Sequence, residues 1–354
     1  GGLLIYLAIR KDMEPTLLLP LGFGAILVNL PMSGAVTQVY DGIAEIGVID
    51  VLFDAGIANE LFPLLLFVGI GAMIDFEPLL TNPKLMIFGA AAQFGIFFTL
   101  SLAALFGFDL KDAASIAIIG AADGPTSIFV ANYFHSKYIG AIMVAAYSYM
   151  ALVPVVQPPV IKLLTTKQER RIRMVYQQRS VSKITKILFP IAITVITGIV
   201  SPRSVALIGF LMFGNLIREC GVLDSLSETA QKVLANLVTL FLGITIATKM
   251  QAQYFLTAET LLILGLGLVA FVFDTAGGVI FAKILNLFLP KDSKINPMIG
   301  AAGISAFPMS ARVVHKLGRA EDPQNFLLMP AVGVNVSGQI ASVIAGGLIL
   351  NLLG

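Results

Sequence analysis

The chain has one cysteine, Cys220, among 354 residues, and charged residues make up only 12% of it. A lone cysteine excludes an intramolecular disulfide and a cysteine-built metal site, which leaves it as small apolar filler. Charge is far below the roughly 25% of a soluble domain. There is no Walker loop, no Rossmann fingerprint, no HExxH and no nucleophile elbow. Energy for any work must therefore come from an ion gradient or a partner. Net charge of +2 gives no reason to expect nucleic acid. A cleavable-signal pattern is also missing: residues 3–9 form an apolar stub before Arg10-Lys11, too short to span a bilayer. That stub implies that further residues precede Gly1.

What is there is apolar. Hydrophobic residues make up 57% and mean hydropathy is +0.90, the composition of a polytopic helical membrane protein. The chain is organised around residues 113–134, AASIAIIGAADGPTSIFVANYF. An apolar run stops at Gly120, Asp123 follows, Gly124-Pro125 breaks the backbone, and an apolar run resumes. A carboxylate in such surroundings costs roughly 2.5–3.5 kcal/mol on insertion scales, so it needs a partner or a task. Gly-Pro releases helix carbonyls, and Thr126 and Ser127 add hydroxyls. Together these are hard oxygen ligands suited to a small cation. The stretch predicts a broken, re-entrant helix pair that binds a cation within the membrane. An Asp-Gly-Pro turn in an external loop is the plain alternative.

Apolar segments fall at 16–30, 61–74, 85–106, 138–161, 187–200, 204–217, 233–248, 260–289 and 325–353. Residues 31–60 are an acidic loop without Lys or Arg. Residues 162–186 hold Lys162, Lys167, Arg170, Arg171, Arg173, Arg179, Lys183 and Lys186 against Glu169 alone. The positive-inside rule makes this loop cytoplasmic. It reads as a solvated topology determinant, or more sharply as a docking surface for a soluble partner. A second broken pair is expected at 295–317, INPMIGAAGISAFPMSARVVHKL, flanked by Lys291, Lys294, Lys316 and Arg319.

The halves repeat. FVGIGAMID (67–75) answers FLGITIATK (241–249), and IGAADGPTS (119–127) answers IGAAGISAF (299–307). Counting crossings outward from the basic loop leaves 31–60 outside, with the first pair dipping in from outside and the second from the cytoplasm. The expected fold is all-α and polytopic, with two inverted-topology repeats that each carry a re-entrant hairpin, as in secondary transporters. Its parts are N-terminal spans with the acidic loop (1–60), a first repeat (61–161), the basic loop (162–186), connecting spans (187–232) and a second repeat (233–354).

The intramembrane polar candidates are Asp123, Thr126, Tyr149, Asn296, Ser305, Arg312, Asn335 and Ser342. Facing hairpins bring Asp123 and Ser305 together, with Tyr149 and Asn335 in reach from flanking spans. Interhelical hydrogen bonding alone would also account for Asn335, and simple packing for Tyr149. Arg312, at the cytoplasmic end of the second pair, either snorkels or clamps a carboxylate. Asp274 is a second intramembrane acid, read as a packing turn beside Gly277-Gly278 or as a transport residue. His135 and His315 sit at hairpin ends and read as interfacial.

GAADGPTSIF, AAYSYMALVPVVQPP, INPMIGAAGISAFPMSARV and NVSGQIAS resemble the membrane β subunit of the biotin-dependent, sodium-pumping decarboxylases of oxaloacetate, methylmalonyl-CoA and glutaconyl-CoA. The resemblance runs from about Lys11 to the C-terminus. It implies that this subunit, in a bacterial cytoplasmic membrane, decarboxylates carboxybiotin, consumes a proton and exports Na+. The essential aspartate of that family falls on Asp123 and its functional tyrosine on Tyr149. Its hairpin Asn, Gly, Ser and Arg fall on Asn296, Gly300, Ser305 and Arg312, and its later Asn on Asn335. Asp274 has no counterpart in that pattern, and the external region before the third segment is longer there than residues 31–60.

The resemblance further implies Na+ held by Asp123, Asn296 and Asn335, with Ser305 and Tyr149 at a second site. It implies a proton relayed by Tyr149 and carboxybiotin held by Arg312. Carboxybiotin arrives on a partner biotin carrier domain loaded by a soluble carboxyltransferase α subunit, beside a small γ-like membrane subunit and several β copies. The rival expectation is a sodium-coupled carboxylate symporter or Na+/H+ antiporter without chemistry.

Overall fold

The computed structural model describes residues 1–11, 14–174, 180–290 and 293–354. Arg179 and Lys291 lie outside the described residues.

Helix α1 (Gly2–Lys11) and α2 (Pro15–Asn29) open the chain. The apolar stub is therefore a helix in its own right. The acidic loop is not a plain loop either. It holds a hairpin of β1 (Gln38–Tyr40) and β2 (Ile43–Glu45), paired antiparallel with Val39 opposite Ala44. Helix α3 (Val48–Phe53) and a π-helical turn (Asp54–Ala58) follow. This piece meets α4 (Leu61–Met73) at a 62° bend. Its acidic residues hid the helical pattern because they serve local backbone needs: Asp50 accepts the Thr37 amide at 2.6 Å.

Next come α5 (Glu77–Thr81) and a span interrupted at Gln93, which divides α6 (Met86–Ala92) from α7 (Phe94–Leu105). The first broken stretch is α8 (Leu110–Ala117), a 3-10 turn (Ile118–Ala121) and α9 (Gly124–Tyr133). Asp109 starts α8 by accepting the Lys111 amide at 3.1 Å. The long helix α10 (Ile139–Leu164) keeps three prolines inside it. The short α11 (Lys167–Arg170) lies in the basic loop. Then come α12 (Lys183–Val200), α13 (Val205–Glu219), α14 (Asp224–Glu228), a second π-helical stretch (Thr229–Leu234) and α15 (Ala235–Ile246). After α16 (Ala252–Phe255) and α17 (Ala258–Phe288), the second broken stretch is a 3-10 helix (Pro297–Gly303) and α18 (Met309–Glu321). It runs four residues beyond the expected end at 317. Helix α19 (Leu328–Leu353) closes the chain.

Six helices among the described residues are long and apolar enough to cross a membrane, or seven with the bent pair counted as one. The protein is thus an all-α, multi-pass membrane protein. Helix α19 is the most enclosed, with 67% of its most apolar window buried, against 11% for α12. Enclosure explains why α19 can carry polar side chains inward: its neighbours, not lipid, meet them. Helix α10 packs on α17, and α19 packs on α6 and on both broken stretches. Close approach needs glycine at two crossings. A Cβ at Gly278 would lie 2.0 Å from the Gly300 carbonyl oxygen, and one at Gly338 would lie 2.3 Å from the Gly303 oxygen.

The basic loop is not simply solvated. Arg170 is buried, with its guanidinium 2.8 Å from Glu321 on α18 and donating to the Thr165 carbonyl. Arg173 forms a two-bond fork on Asp322 at 2.7 and 3.1 Å. Part of the cluster therefore clamps the loop to the second broken stretch. Sequence spacing gave no sign of this, because the partners lie about 150 residues away.

Candidate functional site

Each broken stretch is opened by a proline, and each carbonyl four residues before it is taken by a different segment of the chain. Pro125 cannot donate to Ala121, four residues back, and its ring excludes that carbonyl from the helix ladder. The Ala121 oxygen instead accepts the Ser305 amide at 2.9 Å. Pro308 likewise releases Ile304, whose oxygen accepts the Asn335 side-chain amide at 2.7 Å. The sequence fold-breaks are thus what bind the two stretches to each other and to α19.

Between the 3-10 turn and α9, Ala122 turns left-handed (φ 51) and Asp123 becomes the N-cap of α9. Its carboxylate accepts the Thr126 amide at 3.2 Å and the Thr126 hydroxyl at 2.8 Å. Ser342 donates to the same oxygen at 2.9 Å, and Ser305 donates to Ser342. A helix N-terminus favours the anionic form of such a cap. Asp123 is 4% exposed, so no bulk water supports its charge.

Asn335, Gln339 and Ser342 lie at i, i+4 and i+7 on one face of α19. Gln339 donates to the Ser305 carbonyl. The Asn335 Oδ1 and Gln339 Oε1 oxygens are buried without a partner, as is the Tyr147 hydroxyl. Tyr147 packs on Gly124, where a Cβ would stand 2.4 Å from its ring. Orphaned oxygens on the helix face that also carries Ser342, the Asp123 donor, are what a hard cation can use and what a dry core avoids. Among the described residues no three His, Cys, Asp or Glu side chains gather as around zinc.

Of the expected site residues, the structure gathers Asp123 and Ser305, with Asn335 bonded to the residue before Ser305. Asn296 is used elsewhere. Its amide donates to the Arg170 and Ile172 carbonyls at 3.0 and 2.8 Å, and its oxygen accepts the Met298 amide. It caps the 3-10 helix and anchors the basic loop. Tyr149 donates to the Leu264 carbonyl on α17, while Tyr147 is the tyrosine facing the Asp123 turn. Arg312 stands in the first turn of α18. It is exposed and has no acidic partner among the described residues. Asp274 accepts the Ile96 amide at 3.1 Å, so it caps α7 after the interruption at Gln93.

Sequence reasoning missed Gln339 and Gln157. The helical spacing of Asn335, Gln339 and Ser342 was a readable signal for the first. Gln157, within VPVVQPP, donates to the Ala301 carbonyl at 2.8 Å and accepts from Ser310 at 3.0 Å, tying α10 to both parts of the second broken stretch.

The chain is similar along its whole length to known proteins. It is 49% identical over 354 residues to the glutaconyl-CoA decarboxylase subunit beta of Acidaminococcus fermentans, covering 100% of this chain and 92% of that one. It is 49% identical over 353 residues to the methylmalonyl-CoA decarboxylase subunit beta of Veillonella parvula, covering 100% and 91%. It is 44% identical over 402 residues to the oxaloacetate decarboxylase beta chain of Klebsiella pneumoniae, covering 98% and 92%. The family model for the Na+-transporting oxaloacetate decarboxylase beta subunit matches residues 1–353, and the chain belongs to that family.

Proposed function

We propose that Asp123 is the side chain at which Na+ and H+ trade places in this membrane subunit of a sodium-translocating, biotin-dependent decarboxylase. The observation that carries this reading is a buried carboxylate ringed by hydroxyls from three elements, with unpartnered amide oxygens on the facing helix. Ionised, Asp123 ligates Na+ with Thr126, Ser305, Ser342 and the free oxygens of Asn335 and Gln339. Neutral, it needs no cation, since a bare charge there is prohibitive.

Na+ is cargo. The other substrate is carboxybiotin, brought by a biotin carrier domain that a soluble carboxyltransferase loads. In this reading the Arg312 guanidinium, which is exposed and has no acidic partner among the described residues, holds its carboxylate from the cytoplasm. Loss of CO2 leaves the biotin nitrogen to take up a proton. Tyr149 can relay that proton once it leaves the Leu264 carbonyl. Moving each Na+ outward against the membrane potential costs about 2.3 kcal/mol per 100 mV, so release of CO2 must be tightly tied to ion movement.

Two inverted repeats, 61–161 and 233–354, supply the motion in this reading. Support comes from matched parts: a π-helical stretch precedes both α4 and α15, and a 26-residue helix follows each broken stretch. Each of those long helices packs on a span of the other repeat. The bacterial inner membrane, a small γ-like subunit and several copies of this chain complete the proposed assembly.

Asp123→Asn tests the reading. The assembled complex is expected to lose Na+-stimulated CO2 release while still forming. Wild-type Na+ dependence in that variant rejects Asp123 as the exchange site.

A further inference from the structure

Asp123 and Asp274 are the buried carboxylates among the described residues, and the reading above uses only the first. Asp274 lies midway along α17 with no exposed surface. One oxygen, Oδ1, accepts the Ile96 amide and so restarts α7. A Ser or Asn would cap equally well without an intramembrane charge, so capping alone does not explain an acid here.

The other oxygen, Oδ2, has no partner. It faces the turn that leads to Asp123: a Cβ on Gly120 would stand 2.6 Å from Oδ2 and 2.7 Å from the Ala270 Cβ. No charged side chain on α6, α7, α10 or either 3-10 segment bonds to Asp274 among the described residues. The polar groups nearby in the fold are neutral. Gln93 Oε1 and Thr99 Oγ1 are unpartnered on the interrupted span, and Thr275 Oγ1 meets Gln157 at 3.5 Å. A cation needs several oxygens, and Oδ2 is a single oxygen against glycine and alanine. A proton needs only one.

We propose that Asp274 is a proton-binding site, and that the segment carrying Asp123 seats on α17 only while Asp274 holds its proton. Ionised, Oδ2 requires water or a cation, and either can enter only if residues 118–121 move away. The position of the Na+-exchanging turn is thereby tied to a second protonation, on the carboxyl that faces Gly120 three residues upstream of Asp123. The coupling rests on the reading of Asp123 as the exchange site; the protonation of Asp274 does not.

Infrared difference spectroscopy on the purified complex tests it. With Asp123→Asn as background, the band of a protonated carboxyl whose carbonyl oxygen accepts one amide hydrogen bond is expected to remain, to shift in D2O, and to vanish in the D123N/D274N pair. In Asp274→Asn alone, which keeps the capping oxygen, Na+ is expected still to protect against heat, while Na+-dependent CO2 release falls by about tenfold or more. Absence of the band in D123N overturns the proposal, as does wild-type turnover in D274N. Asp274→Ser keeps a cap but no acid, so normal turnover in that variant also overturns it. If neither Asp274 variant assembles, the D123N spectrum decides by itself. Normal Na+ response in D123N with the band present would reject the Asp123 reading and leave the Asp274 site standing.

Discussion

Ser342 donates to the carboxylate of Asp123 at 2.9 Å across 219 positions of sequence, and it accepts in turn from Ser305. Three elements from opposite ends of the chain therefore meet through two hydroxyls. Ser342→Ala leaves one carboxylate oxygen a donor short. A charge-assisted bond is worth about 1.5–3 kcal/mol, so half-maximal activation should need roughly tenfold more Na+ or greater. A Na+ titration of CO2 release checks this; an unchanged midpoint removes Ser342 from the site.

Tyr147 and Tyr149 should part company when each loses its hydroxyl. The Tyr147 hydroxyl is buried without a partner, a cost of about 1–3 kcal/mol that Tyr147→Phe relieves. That variant is expected to melt at a higher temperature. Tyr149→Phe loses the bond to the Leu264 carbonyl, so it should lose about 1 kcal/mol of stability and keep its Na+ affinity. Paired melting curves with and without Na+ read both.

Arg170 bridges Glu321 and the Thr165 carbonyl with different nitrogens of one guanidinium. Arg170→Ala strands a mostly buried carboxylate and should destabilise the complex by about 3 kcal/mol. Arg170→Lys should recover little, since a lysine lacks the fork. Hydrogen exchange across residues 165–172 is the measurement, with faster exchange expected in both variants.

The outer rung of that clamp should depend on pH in one direction. The hydrogen bond from Arg173 holds the Asp322 carboxyl below its usual range, helped by the Gln324 amide. A carboxyl depressed in the folded state contributes stability above its unfolded value and loses it as pH falls through the folded one. Exchange near Asp322 should therefore rise only in acid, and Asp322→Asn should flatten that rise. Arg173 is 56% exposed, so salt should weaken the effect too.

Glycine at the crossing of α17 and the second broken stretch should be irreplaceable. Gly278→Ala puts a methyl 2.0 Å from the Gly300 oxygen, and Gly300→Ala meets the Gly278 oxygen at the same distance. Backbone atoms cannot give way as a side chain can, so each variant should cost about 3 kcal/mol or more. Loss of assembled complex on size-exclusion chromatography is the expected result for both.

Composition and local punctuation already determined the membrane class, the helical segments and the breaks. Hydrocarbon tolerates only self-satisfied backbone, which apolar runs of this length supply as helices, and the breaks fall where Gly-Pro and Phe-Pro shortly follow small polar residues. That Asp123, Ser305 and Asn335 lie at the breaks was legible because polar groups in an apolar span need a partner. Which polar groups meet was decided by the tertiary structure. Asn296 and Asn335 look alike in sequence, yet one is consumed by the basic loop and the other leaves an oxygen free beside the breaks. Tyr147 and Tyr149 are two residues apart on α10, and helical rotation alone sends one to Gly124 and the other to α17. Asp274 reads as a stray acid until α17 lies against Gly95, Ile96 and Gly120. Side-chain chemistry is local, but the partner that satisfies or strands each group comes from distant chain, so only packing could assign it.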